Sequence, residues 1–379
     1  MMGLRPVLDY CEAERGWLLD LIERLVRLES PSTDKGAVDR LGDVVASELK
    51  ALGLRVERLP QAAAGDHLRA ELGEGERQVL LLGHLDTVWP VGEIARMPIR
   101  LEDGRLHGPG VFDMKAGIAL AMLAVRAIRA LDLPTRHRIV LLLTTDEEVG
   151  STTSRRHIEA QADRSAAVFV LEPALPGGGV KTSRKGVGEF RLEASGIAAH
   201  AGIEPERGAS AIVELAHQVL RLATLQDLAR GVTVTVGRIS GGTRGNVVPA
   251  RATAEVDVRA PTLAAAAAVC QAIEGLQPVV PGVSLRITGG MNRPPLERTD
   301  GVARLFELAR AIAAELGHEL HEGGTGGGSD GNFTAARGVP TLDGLGPVGD
   351  GAHAAGEHVL VEALAWRAAL IAGLVLRVA

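Results

Sequence analysis

Aromatic residues are scarce in this sequence, since only 2% of its 379 residues are Phe, Trp or Tyr. Proteins that stack the bases of single-stranded nucleic acids use aromatic side chains, so this scarcity argues against such a function. Basic residues are not in excess either, because 41 Lys and Arg stand against 47 Asp and Glu, a net charge of −6. Binding driven by nucleic-acid phosphates is therefore disfavoured as well. We expect no nucleic-acid partner.

Cysteines and long apolar runs are also lacking. Cys11 and Cys270 lie far apart with no metal-like spacing, and a disulfide framework in a secreted chain needs more cysteines. No apolar run reaches the ~18 residues of a transmembrane helix. The N-terminal segment carries charges where a signal peptide needs apolar residues. We therefore expect a cytoplasmic protein that has no membrane partner.

What the sequence does contain is enough apolar material for a sizeable core, with 46% hydrophobic residues. Such a composition excludes a disordered chain. The 47 glycines and 18 prolines follow no G-X-Y period, so a collagen-like chain is excluded too. The length favours two domains or one elaborated domain.

Short apolar runs bounded by helical patterns dominate the first half of the chain. Continuous apolar strands that alternate with helices are typical of a mostly parallel sheet covered on both faces. We therefore predict a three-layer α/β/α domain. Its strands are predicted at 78–84, 137–148 and 166–173, and its helices at 15–28, 40–52 and 116–131.

The hydrophobic pattern changes near residue 181, where strands alternate between apolar and polar residues. The order β-α-β-β-α-β over 181–290 is that of a ferredoxin-like α+β sandwich. We predict that this segment is a domain inserted into the first one. Helices at 300–316 and 358–377 would complete the first domain, which therefore comprises 1–180 and 291–379.

Side chains able to bind metals follow the predicted buried strands. In open α/β sheets the functional site lies at the carboxyl ends of the strands. His84 and Asp86 end the first strand, Glu147 and Glu148 end the second, and Glu172 ends the third. Two further candidates lie in loops, Asp113 just before a helix and His353 near the C-terminus. Imidazole and carboxylate ligands without thiolates suit two hard or borderline divalent metals.

Each of these residues taken alone has an ordinary structural interpretation. His84 and Asp86 could lie in a surface loop, Asp113 could cap a helix, and Glu147 with Glu148 could form a solvated acidic turn. His353 could be polar surface. Glu172 is more informative, because a buried strand seldom ends in an unpaired carboxylate. The metal interpretation therefore rests on the whole set.

These candidates and a glycine-rich loop belong to six segments along the chain, which are GHLDTVWP (83–90), GPGVFDMKAG (108–117), TTDEEVGS (144–151), LEP (171–173), GGGSDGNF (326–333) and GDGAHAAGEHV (349–359). In this order they resemble the M20 family of dinuclear zinc peptidases and deacylases, and most closely its carboxypeptidase G2 (glutamate carboxypeptidase)-like branch. The resemblance covers essentially the whole chain. Glu172 and the GGGSDGN loop favour this branch over the aminopeptidase-like members.

The resemblance implies a role for each candidate. His84, Asp113 and Glu172 would bind one metal, and the bridging Asp113 would bind the other together with Glu148 and His353. Glu147 would be the general base and Asp86 would orient His84. Zinc is expected, although cobalt or manganese could use the same ligands. The resemblance also implies a cis peptide bond after Asp113.

Residues outside the metal set are candidates for binding the substrate. His200 matches the family's lid-domain histidine, which stabilises the oxyanion, and in dimeric relatives it reaches across from the partner subunit. Read alone, His200 could be a turn residue. Arg259, Asn246 and Arg293, with the loop residues Gly327, Gly328 and Ser329, are candidates for holding a substrate carboxylate. Arg259 alone could be a charge at a strand edge.

The expected activity is metal-dependent hydrolysis of an amide or peptide bond that releases a free C-terminal amino acid, such as glutamate. The expected substrate is a small peptide or an N-acyl amino acid. An N-acyl-amino-acid deacylase of the acetylornithine or succinyl-diaminopimelate type is the alternative. A non-catalytic binding protein is disfavoured, since Glu147 and all the candidate metal ligands are present. The inserted domain is expected to form a homodimer through an edge strand.

Overall fold

The computed structural model describes residues 3–379, so the first two residues of the predicted 1–180 segment lie outside it. Its ten described helices are α1 Arg5–Ala13, α2 Arg15–Arg27, α3 Lys35–Ala51, α4 Ala116–Ala130, α5 Arg155–Ala162, α6 Ala211–Ala223, α7 Leu263–Glu274, α8 Asp300–Glu315, α9 Gly331–Ala336 and α10 Val361–Arg377. Among these residues, no helix is both long and apolar enough to span a bilayer.

The strands of the first half are β1 Arg55–Leu59, β2 His67–Leu72, β3 Gln78–His84, β4 Arg100–Glu102, β5 Arg105–His107, β6 Arg138–Thr144, β7 Ser165–Val170 and β8 Val180–Arg184. Those of the second half are β9 Gly186–Ser195, β10 Thr233–Gly241, β11 Arg251–Ala260, β12 Ser284–Arg293, β13 Glu322–Thr325, β14 Thr341–Leu342, β15 Gly349–Asp350 and β16 His358–Leu360.

The chain divides into two compact units. Of the described residues, the first unit contains those up to 182 together with 298–324 and 329–379, and the second contains 183–297 and 325–328. The predicted roles of 181–290 as a lid and dimerisation domain stay predictions.

A six-stranded sheet in the order β1-β2-β6-β3-β7-β14 forms the centre of the first unit. Strands β6, β3, β7 and β14 run parallel, whereas β1 and β2 are antiparallel additions at one edge. The runs that form β3, β6 and β7 are almost entirely buried, as strands covered on both faces must be. The predicted mostly parallel α/β sheet is confirmed.

Alternate residues of β3 pack into two different hydrophobic clusters, which shows that both faces of this sheet are covered. Val79 and Leu81 join the larger cluster, to which α1–α4, α8 and α10 contribute. Leu80 and Leu82 join the smaller one, which contains Ile158 of α5 and Phe333 of α9. Opposite faces receive alternate side chains because the period of a strand is two residues. The three-layer arrangement follows from this alternation.

The second unit is built on a four-stranded antiparallel sheet in the order β10-β11-β9-β12. Helices α6 and α7 are inserted between β9 and β10 and between β11 and β12, which gives the predicted β-α-β-β-α-β order. The two central strands, β9 and β11, alternate between buried positions and more exposed ones. Their apolar residues pack with Leu215 and Leu222 of α6 and Val269 of α7. The ferredoxin-like fold is confirmed.

Candidate metal centre

The carboxyl ends of the parallel strands position most of the candidate ligands. His84 is the last residue of β3, and Glu172 follows β7 by two residues. Glu147 and Glu148 begin a short turn, Glu147–Val149, after β6. Because β6, β3 and β7 are adjacent and parallel, their carboxyl ends meet at one edge of the sheet.

The other two candidate ligands come from loops. Asp113 lies in the helical turn Val111–Lys115, immediately before α4, and its peptide bond to Met114 is cis, as the resemblance implies. His353 lies between β15 and β16 and has a φ of 61°, in the left-handed region. Few residues other than glycine adopt this conformation. The backbone of this loop is therefore specialised at the candidate ligand.

The five predicted ligands form two groups that share Asp113. In the first group, His84 Nε2 lies 3.2 Å from Asp113 Oδ1 and 3.4 Å from Glu172 Oε1. In the second, His353 Nε2 lies 3.4 Å from Asp113 Oδ2 and 3.2 Å from Glu148 Oε2. Within each group the candidate ligand atoms all lie within 4.8 Å of one another. The two oxygens of Asp113 thus face different groups, as a bridging carboxylate requires.

Several polar atoms of this cluster are buried yet make no hydrogen bond among the described residues. They are His84 Nε2, Asp113 Oδ1 and Glu148 Oε1. Burying a polar atom without a partner costs free energy, so such atoms are rare unless an ion or a water satisfies them. All three atoms belong to the predicted ligand set. The residues present therefore fit two divalent cations.

The electrostatics of the cluster agree with this fit. Hydrogen bonds to Asp113 and Glu148 raise the pKa of His353 to about 10. Burial lowers the pKa of His84, but its contacts with Asp113, Asp86 and Glu172 outweigh burial and hold that pKa well above 6.5. Conversely, burial disfavours ionised Asp113, yet the two histidines hold its pKa well below 3.8. The cluster thus stabilises positive charge at its centre.

Asp86 is fully buried and connects the ligand-bearing segments after β3 and β6. The Nδ1 atom of His84 lies 2.9 Å from the backbone oxygen of Asp86 and 3.5 Å from its carboxylate. The same carboxylate accepts the backbone N–H groups of Glu147, at 3.3 Å, and Glu148, at 3.2 Å. This arrangement can orient His84 and hold the turn after β6.

Ser32 is a contributor that the sequence reasoning missed. Its hydroxyl donates a hydrogen bond of 2.7 Å to Asp86, and the hydroxyl of Ser30 donates one of 2.8 Å to the backbone oxygen of Leu85. A serine pair with a proline between them carries no specific signal, so only the folded chain reveals the contact.

Two predicted substrate residues lie close together in the second unit. The backbone N–H of Ala201 donates to the backbone oxygen of Asn246 at 3.0 Å, and His200 pairs with Val247 in an isolated bridge. Both His200 and Asn246 are exposed. His200 accepts a hydrogen bond of 3.2 Å from Gly202 N through Nδ1. Their predicted contact with substrate stays a prediction.

Most of the residues predicted to hold a substrate carboxylate make contacts within the fold. Arg259 forms a bidentate pair with Asp257, with Nε 2.9 Å from Oδ1 and Nη2 2.8 Å from Oδ2. The backbone oxygens of Gly327 and Gly328 accept from Arg184, which the sequence reasoning did not select. Arg293 is buried, and a Cβ at Gly328 would lie 2.8 Å from its Cδ. Substrate binding by these residues stays a prediction.

Ser329 belongs to the first unit and is fully buried. Its hydroxyl donates to Asp343 at 2.7 Å, and its backbone N–H donates to Asn332 at 2.9 Å. Both polar groups therefore support the loop itself. The predicted role of Ser329 in binding a substrate carboxylate remains untested.

Comparison with known proteins gives consistent matches. The sequence profile of Peptidase family M20/M25/M40 matches residues 80–377. Carboxypeptidase G2 of Pseudomonas sp. (strain RS-16) is 30% identical over 371 residues, covering 96% of this chain and 89% of that protein. Succinyl-diaminopimelate desuccinylase of Rhodospirillum centenum is 31% identical over 375 residues, covering 91% of this chain and 92% of that protein.

Solved structures show the same fold. An M20 family metallo-carboxypeptidase from Sulfolobus solfataricus superposes with a TM-score of 0.74 at 16% identity, covering 95% of this chain and 98% of that chain. A dinuclear metal-binding peptidase of the M20 family from Bacillus subtilis has a TM-score of 0.70 at 17% identity, with coverages of 97% and 100%. The profile match and the two curated relatives together show that the chain belongs to peptidase family M20/M25/M40, a family of metallohydrolases.

Proposed function

We propose that this protein hydrolyses an amide bond at a two-metal centre and releases a free C-terminal amino acid, with glutamate as the first candidate. The observation that carries the proposal is the pair of ligand groups joined by Asp113. The similarity to carboxypeptidase G2 over 96% of the chain supports the choice of substrate class. We propose Zn²⁺ as the native metal, since imidazole and carboxylate ligands in this number suit it.

When bound, two divalent cations would polarise the scissile carbonyl and lower the pKa of the attacking water. Glu147 takes the proton of that water and transfers it to the departing amine. Its neighbour Glu148 points a carboxylate oxygen at His353, whereas Glu147 is outside both ligand groups. Adjacent residues that differ in this way can divide the roles of ligand and general base.

Residues of the inserted unit would recognise the rest of the substrate. His200 donates a hydrogen bond to the oxyanion that forms when water attacks the carbonyl. Asn246, Arg259 and Arg293, with the backbone of Gly327 and Gly328, hold the carboxylate of the released amino acid. The planar guanidinium of arginine suits this task, because it binds a carboxylate through two parallel hydrogen bonds.

We also propose that the inserted unit forms a homodimer. Strand β10 is at an edge of its sheet, and α6 exposes apolar side chains beside it. These are Ile212, Val213 and Leu220, which are 42%, 48% and 69% exposed. Pairing of two edge strands would cover both features. Sedimentation velocity tests this proposal, and a monomer at all concentrations would refute it.

A second candidate function is removal of an acyl group from an N-acyl amino acid. The 31% identity to a succinyl-diaminopimelate desuccinylase favours it. Both reactions cleave an amide, so the metal centre serves either one. Glu172 and the GGGSDGN loop favour the carboxypeptidase activity over the deacylase activity.

A hydrolysis screen separates these activities. Zinc-loaded protein, with and without chelator, is given peptides and N-acyl compounds ending in glutamate, and separately N-succinyl and N-acetyl diamino acids. Chelator-sensitive release of glutamate supports the proposal, whereas release only from the second group favours the deacylase. A protein that binds two metals and cleaves neither group would contradict both.

Two variants identify the general base. Glu147→Gln should keep both metals and lose about 10²- to 10⁴-fold in kcat, the usual contribution of general acid–base catalysis. Glu307→Gln, which alters an exposed carboxylate of α8 paired with Arg310, should retain full activity. Equal activity in both variants would exclude Glu147 as the base.

A further inference from the structure

Glu357 is a buried carboxylate that contacts the loop of the bridging ligand without belonging to either ligand group. It follows His353 by four residues and is 1% exposed. It is not among the candidate site residues predicted from the sequence. Its side chain reaches across to the turn that carries Asp113, about 245 residues earlier in the chain.

Four N–H groups donate to this one carboxylate. Oε1 accepts from the backbone of Phe112, at 2.9 Å, and of Asp113, at 3.0 Å. Oε2 accepts from the backbone of Gly110, at 2.8 Å, and from the indole of Trp89, at 2.7 Å. An ionised carboxylate offers about four acceptor sites, so donors occupy essentially all of them.

These contacts join the loops that supply two ligands of the same metal group. The Gly110–Asp113 segment carries the bridging ligand, and the Glu357 segment carries His353. Asp113 must present Oδ1 to His84 and Oδ2 to His353, which leaves little freedom for its backbone. A carboxylate that holds the N–H of Asp113 itself acts directly on that orientation.

We propose that Glu357 is a positioning residue of the metal centre, which fixes the Gly110–Asp113 turn against the His353 loop so that Asp113 can bridge two cations. This inference rests on the proposed two-metal function. Partners that orient metal ligands typically contribute 10- to 100-fold in metal affinity. The group formed by Asp113, Glu148 and His353 depends on both joined loops, so it should lose more affinity than the group of His84, Asp113 and Glu172.

Replacement of Glu357 by glutamine is the sharpest perturbation. The side-chain length is kept, but the amide offers one oxygen and one NH₂ group. Whichever way the amide is turned, its NH₂ group faces two of the four N–H donors. Two hydrogen bonds are lost and donors are brought against donors, so the turn carrying Asp113 must move.

The chain offers a closely matched control. Glu214 of the second unit is also fully buried, and its Oε2 accepts the backbone N–H groups of Val279, at 2.8 Å, and Val280, at 2.7 Å. Glu214→Gln makes the same chemical change in a similar setting, away from the ligand residues. A purely structural effect of losing a buried carboxylate should therefore appear in both variants.

The test is a Co²⁺ titration of chelator-treated, full-length protein, followed by visible absorption and equilibrium dialysis, together with a thermal unfolding curve. Wild type should bind two Co²⁺ per chain. Glu357→Gln should bind the second Co²⁺ about 10- to 100-fold more weakly, with an altered spectrum. Glu214→Gln should lower the unfolding temperature and leave both the affinity and the spectrum unchanged.

Trp89→Phe gives an independent test if Glu357→Gln does not fold. It removes one of the four donors and should weaken the second Co²⁺ by roughly 2- to 10-fold, as one hydrogen bond would. An unchanged titration in the folded variants, with two Co²⁺ in wild type, overturns the positioning role alone. A wild type that binds fewer than two Co²⁺ overturns the two-metal function and this inference with it.

Discussion

Gly117 offers a strong test of how the fold supports the metal centre. It lies in the first turn of α4, four residues after Asp113. A Cβ at this position would lie well inside van der Waals contact with the backbone oxygen of Leu171 and 3.2 Å from its carbonyl carbon. Leu171 immediately precedes Glu172. One added methyl group would therefore push apart two segments that carry ligands of the same metal group.

Two opposing effects determine how much Gly117→Ala changes the free energy of unfolding. Alanine favours a helix over glycine by up to about 1 kcal/mol. Overpacking costs about 1–3 kcal/mol, and the upper part of this range applies because the obstructing atom belongs to the backbone. The net loss is roughly 2 kcal/mol. At an unfolding entropy of about 2.1 cal/mol/K per residue over 379 residues, this loss lowers the unfolding temperature by roughly 2–3 °C.

The assay compares thermal unfolding and Co²⁺ titration of Gly117→Ala with those of Gly16→Ala. Gly16 lies in α2 and a Cβ there would meet nothing within 4 Å, so its replacement should raise stability by about 0.5–1 kcal/mol. Gly117→Ala should also bind metal more weakly, because Glu172 is displaced from His84. Stability and affinity at or above the wild-type values in Gly117→Ala would refute the reasoning.

Three further predictions concern the site and the thiols. Asp86→Asn removes the charge that the N–H groups of Glu147 and Glu148 contact, so Co²⁺ affinity should fall about 10- to 100-fold; unchanged dialysis data would contradict this role. Removal of the metals by a chelator should lower the unfolding temperature, since ligand at 100 times its Kd stabilises by about 2.7 kcal/mol; superposable melting curves would count against bound metal. Burial raises the pKa of Cys11 to about 12, so at pH 8 a thiol reagent should modify the partly exposed Cys270 and spare Cys11 until the protein is denatured; rapid reaction of both thiols would show that Cys11 is accessible.

The buried strands of the central sheet could be predicted because their residues are almost all apolar. The apolar runs that form β3, β6 and β7 predict strands covered on both faces without any information from the rest of the chain. The edge strand β1 gave no such signal, since Arg55–Leu59 has no fully buried residue and only two apolar side chains, Val56 and Leu59. It is held by antiparallel pairing with β2, which the sequence does not display.

The candidate ligands were predictable for a different reason. His84 and Glu172 end apolar strands, where a charged or imidazole side chain is conspicuous. The residues that support them carry no comparable signal. Ser32 and Glu357 are common polar residues in loops, and their partners lie 54 residues away for Ser32 and more than 240 for the backbone contacts of Glu357. Such contacts follow from the tertiary fold and leave no periodic pattern in the chain.

Asp86 and Glu357 have similar roles in different parts of the metal centre. Neither belongs to a ligand group, yet each accepts backbone N–H groups from a segment that carries a ligand. Asp86 accepts from the turn after β6, and Glu357 accepts from the turn before α4. Together with Asp113, Glu148 and Glu172, they concentrate negative charge around two histidines. Carboxylates this close repel one another unless positive charge lies between them. Burial raises the pKa of Glu357, and its N–H donors offset only part of that rise. Burial acts on Asp86 in the same direction, but His84, Ser32 and the N–H of Glu148 hold the pKa of Asp86 below 3.8. The hydrogen bonds of Asp86 and Glu357 therefore position the loops, while cations at the centre of the cluster would relieve the repulsion among the ligand carboxylates.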